Sequence, residues 1–264
     1  MFVFIRENHS DLRMLTKNEI KTIRLLQDKK HRDAEQRFVA EGTKWIEELL
    51  KWQPGWIEKL YTTEGWLSDH GKQIAPHQVQ LVENFELEKI SGLAHPAPVI
   101  AVVRKPEIKP RLFLPDHWNL VLDGIQDPGN LGSIIRIADW FGLGSIWCSP
   151  DCADAFGPKV VQATMGSLCR VNVYYENPEK LLENTTLPVM ISGMDGTSLF
   201  EVKEKAGILL IGSEGHGVRE SIRLKATHRV TIPRIGHAES LNAAVATGIM
   251  VANLTAAPGK SKGH

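Results

Sequence analysis

The stretch Leu120–Gly142, "LVLDGIQDPGNLGSIIRIADWFG", decides how the chain is read. It begins as a continuous apolar run ending on Asp123, turns at Asp127-Pro128-Gly129, and continues with apolar residues at helical spacing. Strand, tight turn and helix in that order form the repeating unit of a parallel sheet. Asn130 is read as the cap of the helix. One residue stands out, Arg136 in the helix's second turn. On a solvated face it would pair with Asp139 or lie over Trp140 at i+4. The alternative is that chemistry requires it, and the rest of the chain has to decide.

Working outward, the same alternation recurs. The runs "GSIWCS", "RVNVYY", "VMISG", "GILLIG" and "RVTIP" read as buried strands, with helical patterns at about 157–168, 178–184, 218–226 and 240–256. This predicts an α/β fold with a parallel sheet covered on both faces, whose ligands collect where loops leave the carboxyl ends of the strands. Upstream, helices at about 17–30, 43–52 and 83–91 mix with short strands at 57–61, 79–82 and 99–103, a small α/β domain. Between the two, "RKPEIKPRLFLPDH" carries three prolines and reads as a linker. The division expected is 1–105, a linker at 106–117, a second domain at 118–258 and a flexible tail at 259–264.

At 264 residues, two cores of ordinary size fit, and 42% apolar with 23% charged residues describes a globular chain. No run approaches a membrane span. "MFVFI" is too short for a signal-peptide core, and Met14 opens a natural-looking start, "MLTKNEIKTIRLL". Cys148, Cys152 and Cys169 lack CxxC spacing and read as buried thiols in a reducing cytoplasm. Formal charge is zero, but Arg13–Arg37 holds eight Lys/Arg against four Asp/Glu. Lys17, Lys21 and Arg24 share one helix face opposite Ile20, Ile23 and Leu26, either a solvated face or a stripe that tracks phosphates.

Three loops carry unusual chemistry. In "DGIQDPGNLG" the spacing of Gly124 and Gly129 suggests a phosphate loop, yet Asn-Leu stands where Lys-Ser/Thr is required, which excludes an NTPase. In "GSEGHGV", Gly212–Val218, the third glycine of a dinucleotide fingerprint is missing, but its glycines still allow close backbone approach and place Glu214 among them. In "IPRIGHAESLNAAVATGIMVANL", Ser240 is read as the cap of a helix that is apolar nearly all round, hence buried in a core or against another subunit. Glu239, Ser240 and Asn242 sit at its positive end. His216 and His237 have no ligand-spaced partners, so no metal is expected.

These three stretches, in order and spacing, resemble the motifs of the SpoU/TrmH family of SPOUT RNA methyltransferases. "RFVAEGTKWIEELL" and "ISGLAHPAPVIAVV" resemble the substrate-binding domain that precedes the catalytic domain in many members. The resemblance spans roughly residues 36–258. It implies an RNA-binding N-terminal domain and a C-terminal α/β domain with a deep trefoil knot. The implied enzyme transfers a methyl group from S-adenosyl-L-methionine to a ribose 2′-hydroxyl, in ribosomal RNA by the character of the N-terminal domain. It also implies a cytoplasmic homodimer paired through the knotted region, which suits the apolar helix. The same chemistry on tRNA, or a silent RNA-binding protein on this scaffold, are the rival readings. The family's motif asparagine falls on Asn130 and its catalytic arginine on Arg136. Its acid falls on Glu214, and its Ser-Leu-Asn on Ser240, Leu241 and Asn242, with Ser240 and Asn242 counted in the catalytic set. Backbone around Gly193, Gly212, Ile232 and Leu241 is where such proteins hold the adenosine. A departure is Gln162, in "KVVQATMGSL", where many relatives have arginine.

The implied reaction suits these residue types. The methyl donor is already activated, so the protein's part is to align the nucleophile, worth roughly 7–11 kcal/mol, and to ease loss of its proton. A guanidinium stays protonated in proteins, so Arg136 is expected to hold the adjacent phosphate and stabilise the forming alkoxide rather than act as a base.

Overall fold

The computed structural model describes residues 13–71, 74–75, 78–109 and 111–256. The "MFVFI" start and the 259–264 tail fall outside them. The described chain forms two compact units, one from the residues up to 107 together with 156–169, the other from 108–155 and 170 onward. The segment 156–169, which the sequence groups with the second domain, thus packs with the first unit.

The first unit opens with α1 (Lys17–Leu25) and α2 (Lys29–Glu35). The sequence suggests one helix here, but Asp28 accepts from Lys30 N and starts a second. The buried Arg32 donates back to the carbonyls of Leu26 and Gln27 and satisfies the end of the first turn system. Next come β1 (Arg37–Glu41), α3 (Thr43–Trp52), β2 (Ile57–Thr62), α4 (Glu64–His70), β3 (Val79–Leu81), α5 (Asn84–Ile90) and β4 (Val99–Arg104). The sheet order is β1-β4-β2-β3, with β4 antiparallel to both neighbours. Strand β1 and helix α4 were not anticipated from the sequence. Lys17, Lys21 and Arg24 are exposed along α1, while Ile23 and Leu26 are buried in the unit's core.

Helix α7 (Pro158–Thr164) lies in the returning segment. The buried Trp45 donates its indole N–H to Val161 O at 2.8 Å, and Phe38 packs on Phe156 with ring centroids 5.1 Å apart. Gly166 adopts φ +90°, and a Cβ there would stand 2.6 Å from Glu48 Cβ.

The second unit contains β5 (Trp118–Asp123), α6 (Pro128–Trp140), β6 (Ser145–Cys148), β7 (Asn172–Tyr175), α8 (Pro178–Leu181), β8 (Val189–Ser198), β9 (Gly207–Gly212), α9 (Glu220–Arg223), β10 (His228–Thr231) and α10 (Ala243–Thr255). The sheet is parallel throughout, in the order β10-β8-β9-β5-β6-β7. The central strands β5 and β9 are apolar because both faces are covered; Leu120, Leu122, Ile208 and Leu210 are fully buried. All three cysteines are buried thiols.

Two helix starts differ from expectation. Helix α6 begins at Pro128, so Asp127 is the cap and its Oδ1 accepts from Asn130 N. Helix α10 is capped by Asn242, whose Oδ1 accepts from Ala244 N and Val245 N, rather than by Ser240. Nor is α10 enclosed on all sides. Ala243, Ala244, Thr247, Met250 and Val251 face inward, whereas Val245 and Ile249 are exposed at 52% and 37%.

Replacing Gly166 with Ala is expected to destabilise the protein by about 1–3 kcal/mol, since both the backbone angle and the contact with α3 resist a side chain. Urea denaturation of the variant measures this; an unchanged midpoint would contradict the packing of 156–169 described here.

Candidate active site

Two cavities open at the carboxyl edge of the parallel sheet. The first, about 630 Å³, lies over β8, β9 and β10. Gly193, where β8 has parted from β9, Gly212 at the end of β9, and Ile232 just beyond β10 line it, as do Glu214, Ser240 and Leu241. The second, about 520 Å³, lies beside it over β9, β5 and β6, and the loop 213–217 forms a wall of both.

The loops are tied by one carboxylate. Glu214 Oε1 accepts from Asn130 Nδ2, Asn242 Nδ2 and Ala243 N, each at 3.0 Å. Asn242 Nδ2 also donates to Asn130 Oδ1 at 2.7 Å. The turn after β5, the glycine-rich loop after β9 and the start of α10 therefore meet at a single oxygen, at the positive end of a 13-residue helix. The loop can fold this tightly because residue 212 is glycine. A Cβ there would stand 2.1 Å from the carbonyl carbon of Gly217. An isolated bridge between Ser213 and Gly217 closes the turn.

Arg136 is placed differently. It is exposed on α6, lines neither cavity, and has no side-chain partner among the described residues. It lies on a solvated face, without the two local partners that the sequence offered. Asp139 is occupied by Arg170, whose Nε and Nη2 donate at 2.9 and 2.7 Å, and no contact with Trp140 forms. Trp140 itself is 84% exposed.

The sequence reading overlooked the polar group in the second cavity. Asp123 ends β5, buried, and its Oδ2 accepts from Arg219 N at 2.9 Å. Arg219 Nη2 lies between Asp123 and Asp151, and Ser149 Oγ donates to Asp151 at 2.6 Å. Burial raises the Asp123 carboxyl above its usual range against the opposing pull of Arg219. Burial also pushes Asp151 up, but the Ser149 hydroxyl and the Arg219 guanidinium outweigh it and hold Asp151 below that range. Asp123 was visible as an acid closing an apolar strand; Asp151 and Arg219 had no local signal. Among the described residues no group of three or more His, Cys, Asp or Glu is arranged to hold a metal.

A parallel α/β sheet with a cavity at its carboxyl edge, walled by glycine-rich loops, defines a protein that binds a nucleotide-like cofactor. Residues 117–252 match the SpoU rRNA Methylase family, and residues 17–101 match an MRM3-like substrate binding domain. The chain belongs to the SpoU rRNA methylase family.

It is 30% identical to the 23S rRNA (guanosine(2553)-2′-O)-methyltransferase RlmP of Bacillus subtilis, over 89% of this chain and 95% of that one. Among solved structures it is similar to a putative TrmH-family RNA methyltransferase from Porphyromonas gingivalis, with TM-score 0.82, 37% identity and coverage of 92% and 98%. It is also similar to an AdoMet-bound rRNA methyltransferase from Sinorhizobium meliloti, with TM-score 0.80, 30% identity and coverage of 91% and 95%.

The first cavity fits S-adenosylmethionine by its own chemistry. Gly217 and Gly236 line it with open space where a Cβ would stand, leaving room for a flat base against backbone. Ile211, Val218 and Met250 supply apolar wall, while Glu239 and Arg234 offer both signs of charge to a ligand that is itself a cation and a zwitterion. Replacing Glu214 with Ala should weaken S-adenosylmethionine binding at least tenfold (about 1.4 kcal/mol) with unchanged helix content. Calorimetric titration checks this, and an undiminished affinity would show that the three loops do not depend on the tie.

Proposed function

We propose that the chain methylates ribose 2′-hydroxyls of ribosomal RNA, using S-adenosylmethionine. The observation that carries this reading is the convergence of Asn130, Glu214 and Asn242 on one point between two adjoining cavities. Relatives matched over nearly their whole length carry rRNA methyltransferase names, which favours rRNA over tRNA as substrate. In this reading 1–105 holds RNA and 118–258 carries the chemistry, apart from residues 156–169, which pack with the first unit. The trefoil knot belongs to the same reading, supported by three successive strand ends, β8, β9 and β10, wrapping one cavity.

Bound S-adenosylmethionine supplies an activated methyl group on a sulfonium. The chain's residues do the rest. Gly193, Gly212, Ile232 and Leu241 hold the cofactor through backbone and apolar contact. Asn130, Glu214 and Asn242 fix the loops against each other, and Ser240 stands at the cavity's rim for the ribose. Arg136 clamps the phosphate beside the acceptor and stabilises negative charge as the hydroxyl gives up its proton.

Arg136 does this across a homodimer in our reading. It stands outside its own protomer's cavities, on a helix packed against α10, whose exposed Val245 and Ile249 are apolar groups of the kind a second copy covers. The exposed stripe of Lys17, Lys21 and Arg24 tracks RNA phosphates.

Replacing Arg136 with Ala should lower methyl transfer to rRNA by at least 100-fold, as removal of a charge-stabilising group does, with fold and S-adenosylmethionine affinity unchanged. Mixed dimers give a sharper result. Co-assembled R136A and E214A chains should recover about one quarter of wild-type turnover, since half the dimers are mixed and each then holds one intact site. No recovery would place Arg136 in its own protomer's site. Reversing the charges of Lys17, Lys21 and Arg24 should weaken RNA binding and flatten its salt dependence by about two units of slope; filter binding at several salt concentrations measures both.

A further inference from the structure

The second cavity is not explained by cofactor binding. We propose that it receives the base of the acceptor nucleotide and is built for guanine, with Asp151 and Arg219 reading the base edge. This inference rests on the methyltransferase reading above.

Position comes first. The cavity lies over β5 and β9, neighbours whose connections leave in opposite directions along the sheet, β5 to β6 and β9 to β10 beyond β8. That is the topological switch point, where α/β sheets take ligands. Its wall against the cofactor cavity is the loop 213–217, and both Asn130 and Glu214 line it. A nucleoside seated there abuts the methyl donor's cavity.

Charge comes second. Asp123, Asp127, Asp151 and Glu214 line the cavity against one guanidinium, Arg219. A phosphate is repelled from such a place, whereas an uncharged base rich in N–H donors is attracted. Asp123 Oδ1 is buried and makes no hydrogen bond, although Arg219 Nη2 lies 3.0 Å away in an ion pair.

Geometry comes third. Ser149 Oγ donates to Asp151 Oδ1 and itself accepts from Gly124 N at 2.9 Å, so the Asp151 carboxylate is held from behind. Arg219 is pinned through its backbone N–H on Asp123 and its guanidinium on Asp151. Gly124, at φ +70°, keeps the floor open. A Cβ there would stand 3.6 Å from Asp151 Oδ2 and 4.0 Å from Arg219 Nη2. The result is a fixed acceptor beside a fixed donor. Guanine presents N1–H and the 2-amino group together, followed by the O6 acceptor. Asp151 Oδ1 is taken by Ser149 and Arg219, so its other oxygen, Oδ2, receives the two adjacent donors, and the remaining N–H groups of the Arg219 guanidinium serve O6. Uracil offers one N–H between two acceptors, cytosine an amino group beside an acceptor nitrogen, and adenine the same, so none supplies two adjacent donors to a carboxylate.

The test uses full-length protein, tritiated S-adenosylmethionine and unmodified rRNA transcripts, digested to nucleosides after reaction. Label is expected in 2′-O-methylguanosine. D151N should lower kcat/KM about 10- to 100-fold, the discrimination of one bidentate base contact, with S-adenosylmethionine affinity unchanged. With the target guanosine replaced by inosine through splinted ligation, the wild type should lose about tenfold or more and D151N little further. The inosine arm with wild-type protein needs no variant to fold. Label in a methylated uridine, cytidine or adenosine overturns the inference and leaves the methyltransferase reading standing. Equal inosine costs for wild type and D151N overturn the assignment of Asp151. No label in any RNA overturns both readings.

Discussion

The functional half of this molecule depends on one carboxylate oxygen. Glu214 Oε1 gathers N–H donors from residues 84, 28 and 29 positions away in the chain. Each loop that it joins would otherwise be a flexible connection on the sheet's edge, and fixing such backbone costs about 1–2 kcal/mol per residue. A neutral side chain would make weaker bonds. A carboxylate also gains from lying at the start of α10, where unsatisfied N–H groups point outward. This accounts for an acid inside a glycine-rich turn. The glycines let the backbone close on itself at Gly212 and Gly217, and the acid converts that closed turn into an anchor for its neighbours.

Sheet topology does the remaining placement. With order β10-β8-β9-β5-β6-β7, strand β9 has the first cavity, proposed for the cofactor, on one side and the acidic cavity on the other. A single short loop after β9 therefore belongs to both. A movement of that loop changes the walls of both cavities, with Glu214 at the joint. The shared wall is short, with Ser213, Glu214, His216 and Gly217 lining both cavities.

The sequence disclosed the second unit well because its strands are covered on both faces. Leu120 to Leu122 and Ile208 to Ile211 are apolar without interruption, and only a parallel sheet makes that pattern so regular. It disclosed helix starts less well. Asp127, Asn130, Ser240 and Asn242 are all good capping types; Pro128 was the stronger signal, since proline favours the first helical position and so points to Asp127. Asn130 proved to be spent on a contact 84 residues away, which no local pattern encodes. Strand β1, "RFVAE", was hidden by the charges at its ends, though Phe38, Val39 and Ala40 are buried between them. The attachment of 156–169 to the first unit rests on Trp45, Phe38 and Glu48, all more than a hundred residues away in sequence. The Asp123–Arg219–Asp151 cluster was invisible for the same reason, being assembled from the end of β5, the loop after β6 and the start of α9.

The single protomer is chemically lopsided in a way that bears on the proposed dimer. Its second cavity carries four carboxylates to one guanidinium, while Arg136 projects from α6 with no acidic partner among the described residues. Opposite charges left unmatched on one surface are ordinary when water solvates both. Here they accompany apolar side chains that water does not solvate well, Trp140 on α6 and Val245 and Ile249 on α10. In the proposed two-fold pair, burying those side chains would bring each protomer's α6, which packs on α10, toward the other. A guanidinium brought up to an acidic cavity gains Coulomb energy only as water is excluded, and the apolar groups around it do the excluding. In the proposed dimer the apolar rim and Arg136 act together: hydrophobic association supplies the driving force and brings a cation to the boundary between the two cavities, where the ribose oxygen gains negative charge.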